Sequence, residues 1–230
     1  MTTSLILAGF SLVFCVLFCW FRAKEANVYS LLLKIISSVC FILSGIFAVI
    51  STKDLSISLY IVVGLVFGLV GDILLDLKIM YPQDDQQYFN AGTVAFMFGH
   101  IFYFLATINF NYLNAQQIFP WNLLISISVA VLITLAIMLL SKPLKINFGK
   151  SLIISAIYCF VLSLMLCYSI SVAIYLPIFW IFAGGMFMFF VSDLVLSMQY
   201  FGGKTSKVLI YVNHITYYIA QIMLAISILF

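Results

Sequence analysis

Residues 121–140, WNLLISISVAVLITLAIMLL, run for twenty positions without a charge. A bilayer's hydrocarbon core is about 30 Å thick and a helix rises about 1.5 Å per residue, so roughly 20 apolar residues cross it once. The run is continuously apolar instead of alternating, unlike a strand of a membrane barrel. Irregular backbone cannot face lipid, because its polar groups find no partner there. Residues 121–140 therefore read as a membrane-spanning helix. Working outward, the same reading gives seven more spans, at about 4–21, 31–50, 57–76, 89–109, 151–170, 175–197 and 207–229. The breaks between them are polar or carry turn residues. A very short one is placed at Ser171–Ile174, and the last contains Gly202-Gly203. The expected fold is all-α: a single polytopic membrane helical bundle of eight transmembrane helices over residues 1–230.

Composition excludes the other classes. Of 230 residues, 66% are hydrophobic and 7% are charged, against about 25% charged in a soluble domain. Mean hydropathy is +1.26. A soluble enzyme, a nucleic-acid binder, a disordered tail and a secreted disulfide scaffold are all excluded. The five cysteines, Cys15, Cys19, Cys40, Cys159 and Cys167, lie inside apolar runs with no C-x-x-C pair. They read as small apolar helix residues.

Charge placement sets orientation. The odd-numbered loops hold Arg22, Lys24, Lys78, Lys142, Lys145, Lys150, Lys204 and Lys207, whereas the termini and even-numbered loops hold Lys53 alone. Both termini are expected outside the cytoplasm. The start, MTTS, lacks the basic region of a signal peptide, so the first span reads as a retained helix. The expectation is a multi-pass integral protein of a bacterial inner membrane or, in a eukaryote, of the endoplasmic reticulum.

An ionisable residue inside the bilayer costs about 2.5–3.5 kcal/mol on insertion scales, so each needs a reason. The candidates are Lys34, Asp72, Asp76, His100, Asp193 and His214. Span direction places Lys34, Asp72, Asp193 and His214 toward the cytoplasmic leaflet and His100 near the middle. Asp76 and Lys78 read as interfacial, and Lys34 can snorkel its amine to the headgroups. Gly64, Gly68, Gly71 and Asp72 share one face of the third span, and small residues there admit a close neighbour helix. His214, Tyr217, Tyr218 and Gln221 form a polar stripe that should face protein or a wet cavity.

A faint internal repeat is visible. Gly64 precedes Asp72 by eight residues, as Gly185 precedes Asp193, and HIxYxxA follows at His100 and again at His214. Spans four apart point the same way, so this suggests a 4+4 parallel duplication, an arrangement known in transporters. It would set Asp72 and Asp193 face to face across a central cavity.

Four ordered motifs resemble the YhhN-like family of membrane proteins. They are GLVFGLVGDILL (64–75), FxxGxxxFxxxHxxY (89–103), GGMFMFFVSD (184–193) and TYYIAQ (216–221). Members typically carry Lys-Pro in the second span, whereas here Ile35 follows Lys34, and His214 lies outside the family pattern. Its characterised members are lysoplasmalogenases. The resemblance implies hydrolysis of the vinyl ether bond of a lysoplasmalogen, giving a fatty aldehyde and glycerophosphoethanolamine or glycerophosphocholine. It also implies Asp72 and Asp193 as catalytic residues, with no metal and no cofactor.

The residues suit that chemistry. A vinyl ether is protonated at its β-carbon, and water captures the resulting oxocarbenium ion. An acid, a base and nearby negative charge are needed, and two carboxylates supply all three, as in glycosidases. A pair sharing a dry cavity can hold one proton between them. Asp193 is assigned the acid and Asp72 the base, though the residue types fit the reverse equally. His100, Tyr103, Tyr217, Tyr218 and Gln221 can hold water and the glycerol oxygens. Lys34, with Arg22 and Lys24, can meet the phosphate. The expected partners are the lysophospholipid substrate and membrane lipids, with no nucleic acid. Two alternatives stay open: a zinc hydrolase, for which two histidines are few, and a proton-coupled transporter or channel using the aspartates as a relay.

Overall fold

The computed structural model describes residues 1–25, 27–53, 55–115, 119–203 and 206–230. Lys204, counted above for orientation, lies outside them, as do parts of the fourth and seventh breaks. Among the described residues there are eight long helices and no strands: α1 (Thr2–Arg22), α2 (Val28–Thr52), α3 (Ser58–Met80), α4 (Asp85–Asn114), α5 (Phe119–Ser141), α6 (Leu152–Tyr175), α7 (Trp180–Phe201) and α8 (Lys207–Ser227). All eight are long and apolar enough to cross a membrane.

Local chemistry fixes several boundaries. Asn27 caps α2, accepting from the Ser30 backbone N–H while Ser30 Oγ accepts from the Asn27 N–H. This reciprocal box satisfies two donors that a helix start leaves free. Ser206 caps α8 by a single bond, its Oγ accepting from the Leu209 N–H. The sixth span ends later than its composition suggests. Ser171–Ile174 is helical, and the chain turns at Leu176 and Pro177 instead. Proline has no N–H and restricts the residue before it, so it sets the break, whereas serine can stay in a membrane helix.

The helices pack by small residues. Between α1 and α2, Ser11 Oγ donates to the Ser37 carbonyl at 2.9 Å and Ser37 Oγ to the Ser11 carbonyl at 2.7 Å. Ser44 Oγ donates to the Ser4 carbonyl at 2.8 Å. Between α3 and α4, a Cβ on Gly64 would stand 2.3 Å from the Tyr103 ring. Between α3 and α8, a Cβ on Gly68 would stand 2.4 Å from Gln221 Nε2. Glycine is what lets α3 lie at the centre of the site, touching α2, α4 and α8.

Contacts also define two ends. Arg22 pairs with Asp76, the Lys78 ammonium lies over the Tyr200 ring, and the Asn147 N–H donates to the Phe201 carbonyl. These tie the ends of α1, α3 and α7 to the turn before α6. At the other end the N-terminal ammonium donates to Ser51. The lysine and arginine bias of the sequence predicts that the first end faces the cytoplasm. Reporter fusions after Phe230 and within residues 141–150 should report opposite sides, the former outside; a cytoplasmic C-terminus would overturn this. The packing matches a 4+4 pattern in part: α1 packs on α2 as α5 does on α6, and α3 on α4 as α7 does on α8, whereas the contact of α1 with α8 has no close counterpart between α5 and α4 among the described residues.

Candidate functional site

Asp72 sits where α2, α3 and α8 meet. Its Oδ2 accepts from Ser38 Oγ at 2.7 Å and Tyr217 OH at 2.9 Å, and Lys34 Nζ stands 3.2 Å from Oδ1. Behind Tyr217 runs a buried chain: Tyr103 OH donates to Gln221 Oε1 at 2.9 Å, and Gln221 Nε2 donates to Tyr217 OH at 3.0 Å. Tyr218 donates to the Lys34 carbonyl at 3.0 Å. The polar stripe of α8 thus faces protein: Tyr217 holds the Asp72 carboxylate and Tyr218 the backbone of α2 at Lys34.

One turn along α3, Asp76 is buried and not interfacial as its sequence position suggested. It pairs with Arg22 and, at 3.0 Å, with Lys34. Asp72 and Asp76 are four apart and share a helix face, so both reach the same lysine. Lys34, Asp72 and Asp76 are each 3% exposed. Lys34 does not snorkel; its ammonium lies between two carboxylates. Two cations and two anions close this cluster on itself.

Asp193 has a different setting. On α7 it accepts a hydrogen bond from Tyr158 of α6, whose hydroxyl also lies 3.5 Å from His100 Nε2. His100 is buried against Phe189, and its Nδ1 has no partner. Among the described residues no cation lies within ion-pair distance of Asp193. Tyr158 is the seventh residue of α6, as Lys34 is of α2. Each meets the aspartate of the next helix, one with an ammonium and the other with a phenol.

Asp72 and Asp193 line one cavity, with Lys34, Ser192, Tyr200, Asn213, His214 and Tyr217. Its water-accessible volume is about 20 Å³, room for a water molecule. Asp193 also lines a larger, mostly apolar cavity of about 80 Å³ between α3, α4, α5, α6 and α7, with Tyr158, Phe96, Leu162, Phe190 and Tyr200 on its wall. Asp193 therefore stands where an apolar chamber meets a polar one.

Of the residues read from sequence, Asp72, Asp193, Lys34 and Tyr217 come together at the smaller cavity. His100, Tyr103, Tyr218 and Gln221 are not among its lining residues; they stand behind it as supports. His214 lines it, with its ring edge-on to Phe18 at 4.7 Å. Among the described residues no three His, Cys, Asp or Glu side chains converge as metal ligands. Ser38, Tyr158 and the Ser192–Asn213 clamp were not foreseen. Asn213 Nδ2 donates to the Ser192 carbonyl at 2.8 Å, and Ser192 Oγ donates to the Asn213 carbonyl at 3.1 Å. Ser38 had a legible signal, since it follows Lys34 by four on one helix face. Tyr158 had none, being one tyrosine among thirteen.

No curated protein and no solved structure matches the chain. The YhhN family model matches residues 5–228. Nearly the whole bundle is covered, both aspartates included, and the chain belongs to the YhhN family.

Proposed function

We propose that the protein is an intramembrane hydrolase that cleaves the vinyl ether bond of lysoplasmalogens. The products are a fatty aldehyde and glycerophosphoethanolamine or glycerophosphocholine. One observation carries this reading: Asp72 and Asp193 line one cavity, and among the described residues only Asp72 of the two has a cation within ion-pair distance. Membership in a family whose characterised members are lysoplasmalogenases supports it.

The unequal settings divide the roles. Lys34 balances a carboxylate at Asp72, which suits a base. Asp193, without a counter-charge in an apolar wall, suits the group that holds the proton, because an unpaired buried charge is costly. Asp193 gives its proton to the β-carbon, and the double bond's π electrons form the new C–H bond. Positive charge develops on the α-carbon and ether oxygen. Asp72 takes a proton from the water that adds to the α-carbon, giving a hemiacetal. On collapse the glycerol oxygen leaves with the proton from Asp72, and the hemiacetal hydroxyl returns one to Asp193. One water is consumed and both aspartates are restored. The aliphatic chain lies in the apolar part of the bundle.

Purified protein in detergent should release aldehyde from a lysoplasmalogen. A transporter would release none, and that result would sink this reading. Tyr158 orients Asp193, so Tyr158→Phe should lower kcat about 10-fold or more, the worth of a hydrogen bond to a chargeable group. KM should change little. A pure rise in KM would place Tyr158 in substrate binding instead.

A further inference from the structure

Lys34 and Arg22 are consumed by aspartates, and Lys24 Nζ lies 3.4 Å over the Trp20 ring. A further cation, Lys78, lies against two rings of the larger cavity's wall. Its ammonium sits 3.9 Å from the Tyr200 ring centre and 4.8 Å from that of Phe89. Both rings line the larger cavity, as Asp193 does. Among the described residues no carboxylate lies within ion-pair distance of Lys78. Asp85 acts on it from beyond ion-pair distance, and the two rings hold the ammonium by cation–π attraction, which does not use its N–H donors.

We infer that Lys78 is the subsite for the phosphate of a single-chain lipid whose reacting bond lies at Asp193. This deepens the reading of the reaction and rests on it. Length supports the assignment. Tyr200 follows Asp193 by seven residues on α7, roughly 10 Å at about 1.5 Å per residue. From phosphorus to the β-carbon of an sn-1 vinyl ether there are seven bonds of about 1.5 Å, zigzagging to about 9 Å. A phosphate at Lys78 therefore brings the carbon that must be protonated to the acid. Depth agrees as well. Lys78 and Tyr200 lie in the last turns of α3 and α7, where a spanning helix meets the headgroups, and Asp193 lies two turns inside.

Binding tests this without turnover. The probes are a non-cleavable 1-O-alkyl lysophospholipid and the matching 1-O-alkylglycerol, which lacks the phosphate, each titrated against purified protein in detergent. Wild type should bind the phospholipid about tenfold more tightly. Lys78→Met and Lys78→Gln should erase that gap, and Lys78→Arg should keep it. A gap that persists in both neutral variants overturns the inference. So does displacement of the lipid by inorganic phosphate at equal concentration, which would make the site one for the free anion. If wild type shows the gap yet releases no aldehyde, the reaction fails and the subsite stands; aldehyde release without the gap has the opposite meaning.

Discussion

Asp193→Asn and Asp72→Asn should each nearly abolish aldehyde release. Asn keeps the shape and much of the hydrogen bonding but can neither deliver a proton nor carry charge. General acid–base contributions are about 10²–10⁴-fold each. The two groups act in one cycle, so the double variant should be little slower than either single one. Single variants with near-normal rates would end the two-aspartate scheme. Stability should separate the two. From sequence, both substitutions appear harmless to folding, because each removes a carboxylate from the membrane. The structure divides them. Asp193 has no ion pair among the described residues, and Asp193→Asn should melt at or above the wild-type temperature, as expected of a site held against its own stability. Asp72 answers Lys34 at 3.2 Å, so Asp72→Asn leaves excess buried positive charge and should melt lower.

The bundle was legible because membrane spans are a one-dimensional signal. Each helix declares itself by a run of apolar residues, and all eight are found where such runs lie. Several helices run a few residues past the spans read from sequence, as α4 does at both ends, and the misplaced break at Ser171–Ile174 came from weighing serine over proline. The site was legible only in part. Asp72, Asp193 and Lys34 are conspicuous because charges in lipid need a reason. What they need was hidden, since partners come from other helices. Asp76 shows the difficulty. Near the end of α3 it reads as a residue at the water boundary, yet it is buried, with Arg22 and Lys34 closed around it. Tyr158 shows it more sharply: nothing in α6 alone sets it apart from its apolar neighbours, and its role is given by α7. His100, Tyr103 and Gln221 were conspicuous as polar groups, but polarity does not tell a lining residue from one behind it.

Lys34→Met should be the most destabilising substitution in the protein. It removes the charge that lies between Asp72 and Asp76, 3.2 Å and 3.0 Å away, and leaves Arg22 to answer both. Breaking a buried ion pair by removing one partner costs about 3–5 kcal/mol, because the other charge stays buried and uncompensated. For a chain of this size about 1 kcal/mol moves the melting point roughly 2–4 °C, so a drop of roughly 6–20 °C is expected. Methionine keeps the stem's volume, so the loss is not a cavity effect. The double variant Lys34→Met with Asp72→Asn restores balance, since Arg22 and Asp76 still answer each other. It should recover most of the lost stability while remaining inactive. Double-mutant cycles isolate such a pair energy from the effects of each side chain alone. If Lys34→Met melts with wild type, the cluster is not a closed set of charges and Asp72 is not held as a carboxylate by Lys34. If the double variant melts no higher than Lys34→Met, the lysine acts through packing. Recovery of stability without recovery of turnover would separate the two duties of Asp72, one as the anion that keeps Lys34 in the bundle and the other as the base that takes the proton from water.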